Sequence, residues 1–275
     1  MKKKLFLFAL LFSSLLTACL SDDDDGEKWD AAKVCPETGT NAYGMPNRGT
    51  FTDERDGEVY HYTTIGDQVW MAENLRFALP YPYSFCYGTE LCYLRRLWET
   101  DVGETVCFKD TASLNEIAER MQLSCADNDC IAAEYCKKFG RYYSLKDREA
   151  DTWLLNRDVV DSVCPKGWHL PSKGEWEILI DKTEGDLSRL LSDEEYLFKE
   201  NDKLTKVYGS ERNLCGFSTL YAGHVSSPKV MSVFLAADFW TSTAAGPLHV
   251  NEVGFTREIL FTTDKEFISI RCLKD

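Results

Sequence analysis

The sequence has few histidines and no closely spaced cysteine pair, so the common metal-binding motifs are missing. Its four histidines stand at positions 61, 169, 224 and 249, isolated from one another. A structural zinc site needs Cys-x-x-Cys pairs or clustered histidines. We therefore expect no metal site and no cofactor.

Positive charge is also scarce in this chain. It carries 31 lysines and arginines against 45 aspartates and glutamates, which gives a net charge of −14 at pH 7. Such a surface repels the phosphates of nucleic acids and of anionic lipid headgroups. Nucleic acid is thereby excluded as a partner, and the acidity favours solubility outside the cell.

The N-terminal apolar run is too short to cross a membrane. It extends from Leu5 to Leu16, is broken by Ser13 and Ser14, and follows three lysines. Twelve helical residues cover roughly 18 Å of a hydrocarbon core that is about 30 Å thick. A basic start, a short apolar core and small residues at the cleavage point predict a secretory signal.

The string that ends this signal, Leu16-Thr17-Ala18-Cys19, resembles the lipobox of bacterial lipoproteins. The resemblance implies that residues 1–19 form a lipoprotein signal peptide. It also implies that Cys19 carries the lipid, including a palmitate chain, which attaches the protein to a membrane.

Residues 20–49 are expected to form an acidic, flexible tether. The segment opens with a serine and four aspartates at positions 21–25 and has almost no apolar periodicity. Clustered like charges repel one another and bury no face. The acidic string is similar to the signal that sends lipoproteins of Bacteroidota-like bacteria to the outer face of the outer membrane. It implies a lipid-anchored protein that faces the cell exterior, and the alternative is a spacer without an address.

The number of cysteines agrees with export. There are eleven, and assigning Cys19 to lipid leaves ten. An even number of cysteines in an exported chain indicates a disulfide framework.

Local patterns predict a mixture of strands and helices. Val59–Ile65 and Gln68–Met71 flank Gly66-Asp67, which is typical of a β-hairpin with a two-residue turn. Capping boxes start at Ser113 and at Ser172, and each predicts a helix. A further helix is expected over residues 132–139, and the last sixty residues are β-rich, with strand-like runs at 233–243, 249–255, 259–263 and 267–273.

Six strings in this region resemble, in order, the Fibrobacter succinogenes major paralogous domain. The resemblance covers about Thr50 to Asp275 and implies one domain over 50–275 of the α+β class. It implies a C-type-lectin-like fold with antiparallel β-strands, two or three helices and a disulfide-rich insertion at about 88–135. The strings are Ile65–Leu75, Phe139–Ser144, Val163–Ser172 with Glu175-Trp176, Gly216–Leu220, Phe239–Thr243 and Ile270–Asp275.

The resemblance also implies part of the disulfide pairing. It pairs a cysteine before Pro-x-Gly-Trp with the one near the C-terminus, and a cysteine after Asn-Leu with one before Phe-Gly-Arg. Local closure favours two bridges within the insertion, which leaves one pair by elimination, although ten cysteines allow very many connectivities. The expected pairs are Cys164–Cys272, Cys86–Cys136, Cys92–Cys107, Cys125–Cys130 and Cys35–Cys215.

The tryptophans of these strings are expected to be structural. Trp70 and Trp240 lie in strand-like runs, and Trp168 and Trp176 bracket the start of a helix. We expect all four in the core rather than stacked on a ligand. Asn74 is expected to satisfy turn backbone.

Two non-catalytic functions are compatible with an anchored domain of this kind. The first is a surface binding or adhesion module, with polysaccharide as the candidate ligand. The alternative is a structural or assembly component of the cell envelope that contacts other proteins. The anchor, the lectin-like resemblance and the 13% aromatic content favour the first. No ligand-binding residue is assigned from the sequence.

An enzyme is not expected. Glu175 and Glu177 diverge on a helix, and no nucleophile-elbow string occurs. The string around Trp168 is similar to formylglycine-generating enzymes, but their late reactive cysteine pair would have to be Cys215 and Cys272, which we expect in bridges. A lectin-type calcium site is not expected either, because Glu-Pro-Asn, Gln-Pro-Asp and Trp-Asn-Asp are missing.

Overall fold

A computed structural model defines the fold over most of the chain. Cys19, the acidic run that follows it and parts of the insertion lie outside the residues it describes. The described residues are 28–80, 83–87, 91–97, 100–108, 112–145, 156–193, 197–200, 203–206, 213–226, 229–231, 236–243, 248–251, 258–261 and 267–275.

The described residues form a mixed α+β structure with antiparallel sheets, as the sequence patterns predicted. The α-helices are α1 (Ala31–Val34), α2 (Ala112–Met121), α3 (Asn128–Phe139), α4 (Arg157–Ser162) and α5 (Lys173–Lys182). The strands are β1 (Arg48–Thr52), β2 (Val59–Ile65), β3 (Gln68–Met71), β4 (Ser84–Phe85), β5 (Leu91–Leu97), β6 (Thr100–Phe108), β7 (Tyr142–Tyr143), β8 (Trp168–His169), β9 (Leu197–Glu200), β10 (Lys203–Lys206), β11 (His224–Ser226), β12 (Lys229–Met231), β13 (Ala236–Phe239), β14 (Leu248–Asn251), β15 (Glu258–Phe261) and β16 (Leu273–Lys274).

A five-stranded antiparallel sheet organises the domain, with strand order β1-β2-β3-β16-β8. The predicted hairpin is present as β2 and β3, and the pair Ile65↔Gln68 closes it around a two-residue turn. Gly66 has a φ of +57°, which glycine adopts without a side-chain clash. The last strand of the chain lies beside this hairpin, so residues far apart in sequence meet in one sheet.

Two hydrophobic clusters pack in the domain, and each contains side chains of this sheet. One contains Trp70 and Trp176, and the other contains Trp168 and Trp240. All four of these side chains are buried, so the expectation that they are structural holds. These four indoles are therefore part of the packed core.

The C-terminal segment is buried on both of its sides. Ile268 and Ile270 belong to one cluster, while the guanidinium of Arg271 lies over the rings of Phe217 and Phe239 in the other. Successive side chains of this segment therefore point to opposite sides. The predicted continuous strand over 267–273 is wrong, because the paired strand β16 covers only Leu273–Lys274.

The prediction of a flexible tether over residues 20–49 is wrong for residues 28–49. The described residues 28–49 are folded, and they contain α1 and the start of β1. Trp29 donates its indole N–H to the carbonyl of Lys182 at 2.8 Å, and the guanidinium of Arg189 lies 3.9 Å from its ring centroid. The polar composition of this segment predicts a tether, but the Trp29 side chain and the Cys35–Cys215 disulfide attach it to the domain.

The five helices exceed the two or three expected. The additional ones, α1 and α4, have 4 and 6 residues, too few to produce a helical period. Helix α5 begins with the predicted capping box, in which Ser172 and Glu175 each accept from the other's backbone N–H. Helix α2 begins at Ala112, one residue before the serine that was expected to cap it.

The insertion contains a two-stranded ribbon and two helices. Strands β5 and β6 pair with each other, and Cys92 lies opposite Cys107 in their register. Helix α3 begins after Asp127, whose side chain accepts from the N–H of Cys130, and it ends at Gly140. Within the part of the chain described here, no helix is both long and apolar enough to cross a membrane.

Candidate functional site

A buried polar group joins several of the recognised strings. Arg271 is 0% exposed, and its Nε and Nη2 donate to Oδ1 of Asn74 at 3.2 and 2.7 Å. Its guanidinium also donates to the carbonyls of Phe217 and Ser218. One guanidinium thereby holds the end of the hairpin against the segment around Phe217.

Asn74 connects the same group to helix α3. Its Nδ2 donates to the carbonyl of Phe139 at 2.8 Å, which is a buried contact. The expectation that Asn74 satisfies backbone groups holds, although the backbone lies 65 residues away. Gly140 follows at φ +80°, and a Cβ there would lie 2.7 Å from Cβ of Asn74 and 2.9 Å from the carbonyl oxygen of Leu75. Only glycine permits this close approach.

The segment 213–220, which we call the wall loop, has an unusual backbone. Asn213 and Ser218 have φ values of +54° and +55°, and Gly216 has +64°. A serine in this region costs of order 1–3 kcal/mol, and such residues persist where the surroundings hold them. Here the Oδ1 of Asn213 accepts from the N–H of Ser218 at 2.8 Å. The wall loop is therefore fixed in a conformation that its sequence alone disfavours.

Contacts from the N-terminal segment hold the wall loop from another side. Cys35 forms a disulfide with Cys215. The hydroxyl of Thr63 donates to the carbonyl of Cys215 at 2.6 Å. Arg48 donates to the carbonyls of Leu214 and Cys35 at 2.8 and 3.3 Å. The loop consequently has little freedom to move when a ligand approaches.

The wall loop borders an open groove of about 640 Å³, which we call the polar groove. Its floor consists of strands β1 and β2 and the residues after β3, and the end of α3 forms part of its rim. Ten of its fourteen lining residues carry a hydroxyl, imidazole or charged group. The lining residues are Arg48, Gly49, Thr50, His61, Tyr62, Ala72, Glu73, Lys137, Lys138, Ser192, Asp193, Gly216, Ser218 and Leu220.

Ion pairs fix several of the lining side chains. Arg48 contacts Glu37 with 3.0 Å between Nη1 and Oε1. The Nδ1 of His61 lies 3.4 Å from Oε1 of Glu73, whose other oxygen accepts from the backbone N–H of His61 at 2.8 Å. Burial raises the pKa of the Tyr62 hydroxyl, so it stays protonated and retains its hydrogen for donation at neutral pH. The groove therefore offers both donors and acceptors.

A second polar cluster lies on the far edge of the sheet. His169 has Asp275 Oδ1 at 2.8 Å from Nδ1 and Glu175 Oε1 at 3.0 Å from Nε2. Burial raises the pKa of Glu175, but hydrogen bonds from the N–H and hydroxyl of Ser172 and from His169 outweigh it and lower the pKa overall. The Glu175 carboxylate also holds secondary structure in place, since Glu175 is the capping-box residue of α5.

A third titratable pair is fully enclosed. The Nδ1 of His224 lies 2.8 Å from Oδ2 of Asp238, and the two side chains are 5% and 0% exposed. The pair joins β11 to β13. Its enclosure keeps it away from any ligand in the polar groove.

The cysteines join in the expected pattern wherever the structure describes them. Each of these bonds links two cysteines that the sequence analysis paired, and the Cys92–Cys107 bond stays a prediction supported by register alone. The disulfides of the described residues are Cys35–Cys215, Cys86–Cys136, Cys125–Cys130 and Cys164–Cys272.

The residues considered for catalysis do not converge. Cys215 and Cys272 are both bonded to other cysteines. Glu175 contacts His169, whereas Glu177 contacts Lys173 at 3.4 Å. Across the described ranges, no three His, Cys, Asp or Glu side chains are placed to hold a metal ion.

No sequence pattern predicted the polar groove. Five of its lining residues belong to recognised strings, namely Ala72, Glu73, Gly216, Ser218 and Leu220. Asn47 lies in the segment that was expected to be a tether, yet it is buried and donates to the carbonyl of Thr38 at 2.5 Å. The positive φ of Ser218 is the structural signal for the groove, and no sequence pattern reveals it.

The fold and the groove define a disulfide-bonded α+β domain with a pre-organised polar depression. The family model of the Fibrobacter succinogenes major domain matches residues 63–274. The chain belongs to this family. Comparison with curated proteins found no match, and comparison with solved structures found none either.

Proposed function

We propose that this protein is a lipid-anchored, non-catalytic binding module on the outer face of the outer membrane, and that the polar groove binds saccharide. Cys19 would carry the lipid, and the acidic run after it would direct export. The fold would be a variant of the C-type-lectin-like architecture. The position of β16 beside the hairpin and the long Cys164–Cys272 bridge support that assignment.

The conformation of the wall loop is the observation that carries this proposal. Ser218 lines the groove at φ +55° and is held there by Asn213 and Arg271. Strained backbone fixed by its surroundings is concentrated at binding and active sites, where it orients groups in advance. Pre-organisation lowers the entropic cost of binding, which matters most for flexible, hydroxyl-rich ligands.

The anchor would hold the groove close to the membrane. The structure describes the chain from Lys28, nine residues after Cys19. A fully extended chain spans about 3.3–3.6 Å per residue, so the domain would stay within roughly 30 Å of its lipid. The ligand would therefore be either a polymer that extends to the cell surface or a soluble saccharide.

One observation favours the alternative role as an envelope assembly component. The ribbon of β5 and β6 pairs only with itself among the described strands. In its register Leu91 lies opposite Phe108 and Tyr93 lies opposite Val106, so these four positions share one face. A row of apolar positions on one face of a ribbon is typical of a surface that contacts another protein.

The binding proposal is tested by filling the groove. Thr50 lies exposed on β1 and lines the groove, whereas Thr52 lies exposed two residues further on the same strand and does not. The full chain in detergent would be titrated with plant and bacterial polysaccharides, with and without a calcium chelator. Thr50→Trp should abolish saturable binding, and Thr52→Trp should leave it unchanged.

Two results would contradict the proposal. The first is no saccharide binding by the unmodified chain. The second is equal binding by both tryptophan variants. Recovery of the same envelope proteins with both variants would instead support the assembly role.

A further inference from the structure

Basic residues outnumber acidic ones in the lining of the polar groove, whereas acidic residues outnumber basic ones in the whole chain. Acidic residues outnumber basic ones by 45 to 31 overall. Counted in the same way, without histidine, three basic residues of the groove lining stand against two acidic ones. The basic residues are Arg48, Lys137 and Lys138, and the acidic ones are Glu73 and Asp193.

The two lysines occupy a fixed position on the rim. Both lie in the last turn of α3, directly before the buried Phe139. Asn74 donates to the carbonyl of Phe139, and the conformation of Gly140 ends the helix there. The backbone that carries Lys137 and Lys138 is therefore immobilised, although the side chain of Lys137 is exposed.

The charge of Glu73 is already offset. Its carboxylate accepts from the backbone N–H of His61 at 2.8 Å and lies 3.4 Å from the ring nitrogen of the same residue. It also lies 3.9 Å from Nη1 of Arg76. A ligand in the groove therefore meets the lysines without strong repulsion from Glu73.

The remaining lining is rich in hydroxyl groups. Thr50, Tyr62, Ser192 and Ser218 supply them, and Leu220 is the largest aliphatic side chain present. Peptide-binding grooves depend on apolar pockets that anchor side chains. A hydroxyl-lined groove with a basic rim instead matches a polyhydroxylated ligand that carries negative charge.

We infer that the polar groove selects saccharides that bear carboxylates, namely uronic acid residues, over neutral saccharides of the same shape. This inference rests on the proposed saccharide-binding function. The pair Lys137–Lys138 supplies the selectivity, and the hydroxyl groups of the floor supply contacts common to charged and neutral sugars. Charged hydrogen bonds are stronger than neutral ones, so the carboxylate form should bind more tightly.

The test compares two ligands that share one sugar backbone and differ at the carboxyl group. Oligogalacturonate and its methyl-esterified form share one backbone, and the ester has no negative charge. Each would be titrated calorimetrically into the full chain in detergent, with a calcium chelator, at low and high salt. We expect about tenfold tighter binding of the acid form at low salt, and a smaller difference at high salt because ions screen exposed charges.

Variants locate the effect. Lys137→Ala with Lys138→Ala should weaken acid-form binding about fivefold to tenfold and leave ester binding unchanged, since exposed charge pairs contribute about 0.2–1 kcal/mol each. Lys28→Ala with Lys166→Ala is the matched control, because both residues are exposed and outside the groove lining. The control should bind both ligands as the unmodified chain does. Should the double variant misfold, Lys137→Ala alone and the salt dependence give the same comparison.

Each other outcome has a distinct meaning. Equal binding of acid and ester overturns the charge selectivity and leaves the saccharide-binding function standing. Binding of neither ligand, nor of any other saccharide, contradicts that function itself. A charge preference that survives removal of both lysines, or equally tight binding of polyglutamate, overturns the assignment of carboxylated sugar to this groove.

Discussion

Arg271 is the residue on which the arrangement of the recognised strings depends. Its buried guanidinium contacts Asn74 and the carbonyls of Phe217 and Ser218. The ring of Phe217 lies 4.4 Å from the guanidinium carbon. The planar, multi-donor shape of arginine suits such a site, where a lysine would leave acceptors unsatisfied.

Replacing this guanidinium should destabilise the domain strongly. Arg271→Leu would leave Asn74 Oδ1 and two carbonyl oxygens without this hydrogen-bond donor. Each unsatisfied group costs about 1–3 kcal/mol of stability. We expect a loss of about 4 kcal/mol in the free energy of unfolding, measured by urea denaturation. Arg157→Leu removes an exposed arginine that contacts Ser242 at 3.4 Å and should cost less than about 0.5 kcal/mol. Equal losses in the two variants would refute this role of Arg271.

A double-mutant cycle adds a sharper measurement. Asn74→Ala and Arg271→Leu act on the same pair of contacts. Their effects should be non-additive by about 2 kcal/mol, because the second change has less left to remove. Additive effects would show that the contact does not couple the two residues.

The lowered pKa of Glu175 predicts a pH dependence of stability. A carboxylate whose folded pKa lies below its unfolded value of 4.5 contributes stability above that pH and loses it as the pH falls through the folded pKa. Glu175→Gln should therefore unfold at a lower urea concentration than the unmodified protein at pH 7. The difference should shrink steadily below pH 4.5. A difference that is constant from pH 7 to pH 3 would contradict the account.

At the scale of elements, the end of α3 determines how helix and hairpin meet. Gly140→Ala would bring a Cβ to 2.7 Å from Cβ of Asn74 and would force φ +80° on an alanine. Gly44 has φ +73° with nothing within 4 Å of the position a Cβ would take. The first substitution should cost about 3 kcal/mol and the second about 1 kcal/mol in urea denaturation. Similar losses of stability in the two variants would mean that the close approach to Asn74 does not affect stability.

The Cys35–Cys215 disulfide links the N-terminal segment to the wall loop. Its two cysteines are 180 residues apart in the sequence, whereas Cys125 and Cys130 are 5 residues apart. In the chain-entropy model these correspond to about 5 and about 2 kcal/mol. The Cys35→Ser/Cys215→Ser variant should therefore lose more stability than Cys125→Ser/Cys130→Ser, and it alone should weaken ligand binding. Unchanged binding after removal of the first bridge would show that it does not hold the groove.

Sequence patterns predicted the elements whose signal is local. The Gly66-Asp67 turn and the Ser172–Glu175 capping box each depend on a few adjacent residues, and both are present. The packing of residues 28–49 depends on Trp29 and Cys35 reaching partners more than 150 residues away. Composition carries no information on such contacts, so it predicts a tether where the segment is packed against the domain.

For the whole molecule, the anchor can be tested separately from the groove. Cys19→Ser should abolish palmitate labelling and move the protein from the membrane fraction to the soluble fraction, because a single lipidated cysteine is the proposed attachment. Protease added to intact cells should digest the unmodified protein if it faces the exterior. Retention of Cys19→Ser in the membrane fraction would contradict the lipid anchor.

The polar groove could not be predicted because it exists only in the assembled molecule. Thr50, Lys137 and Ser218 come from a strand, a helix end and a loop. Their sequence neighbours show no common pattern. The family strings determine the buried contacts that bring these parts together, while the residues that face the ligand lie mostly outside those strings.

The most direct test of the central claim is hydrogen–deuterium exchange of the full chain with and without saturating oligogalacturonate. We predict slower exchange confined to residues 48–50, 61–62, 72–73, 137–138, 192–193 and 216–220, the segments that line the groove. Protection that maps to the β5–β6 ribbon, or to the cluster around His169, would contradict the assignment of the polar groove as the binding site.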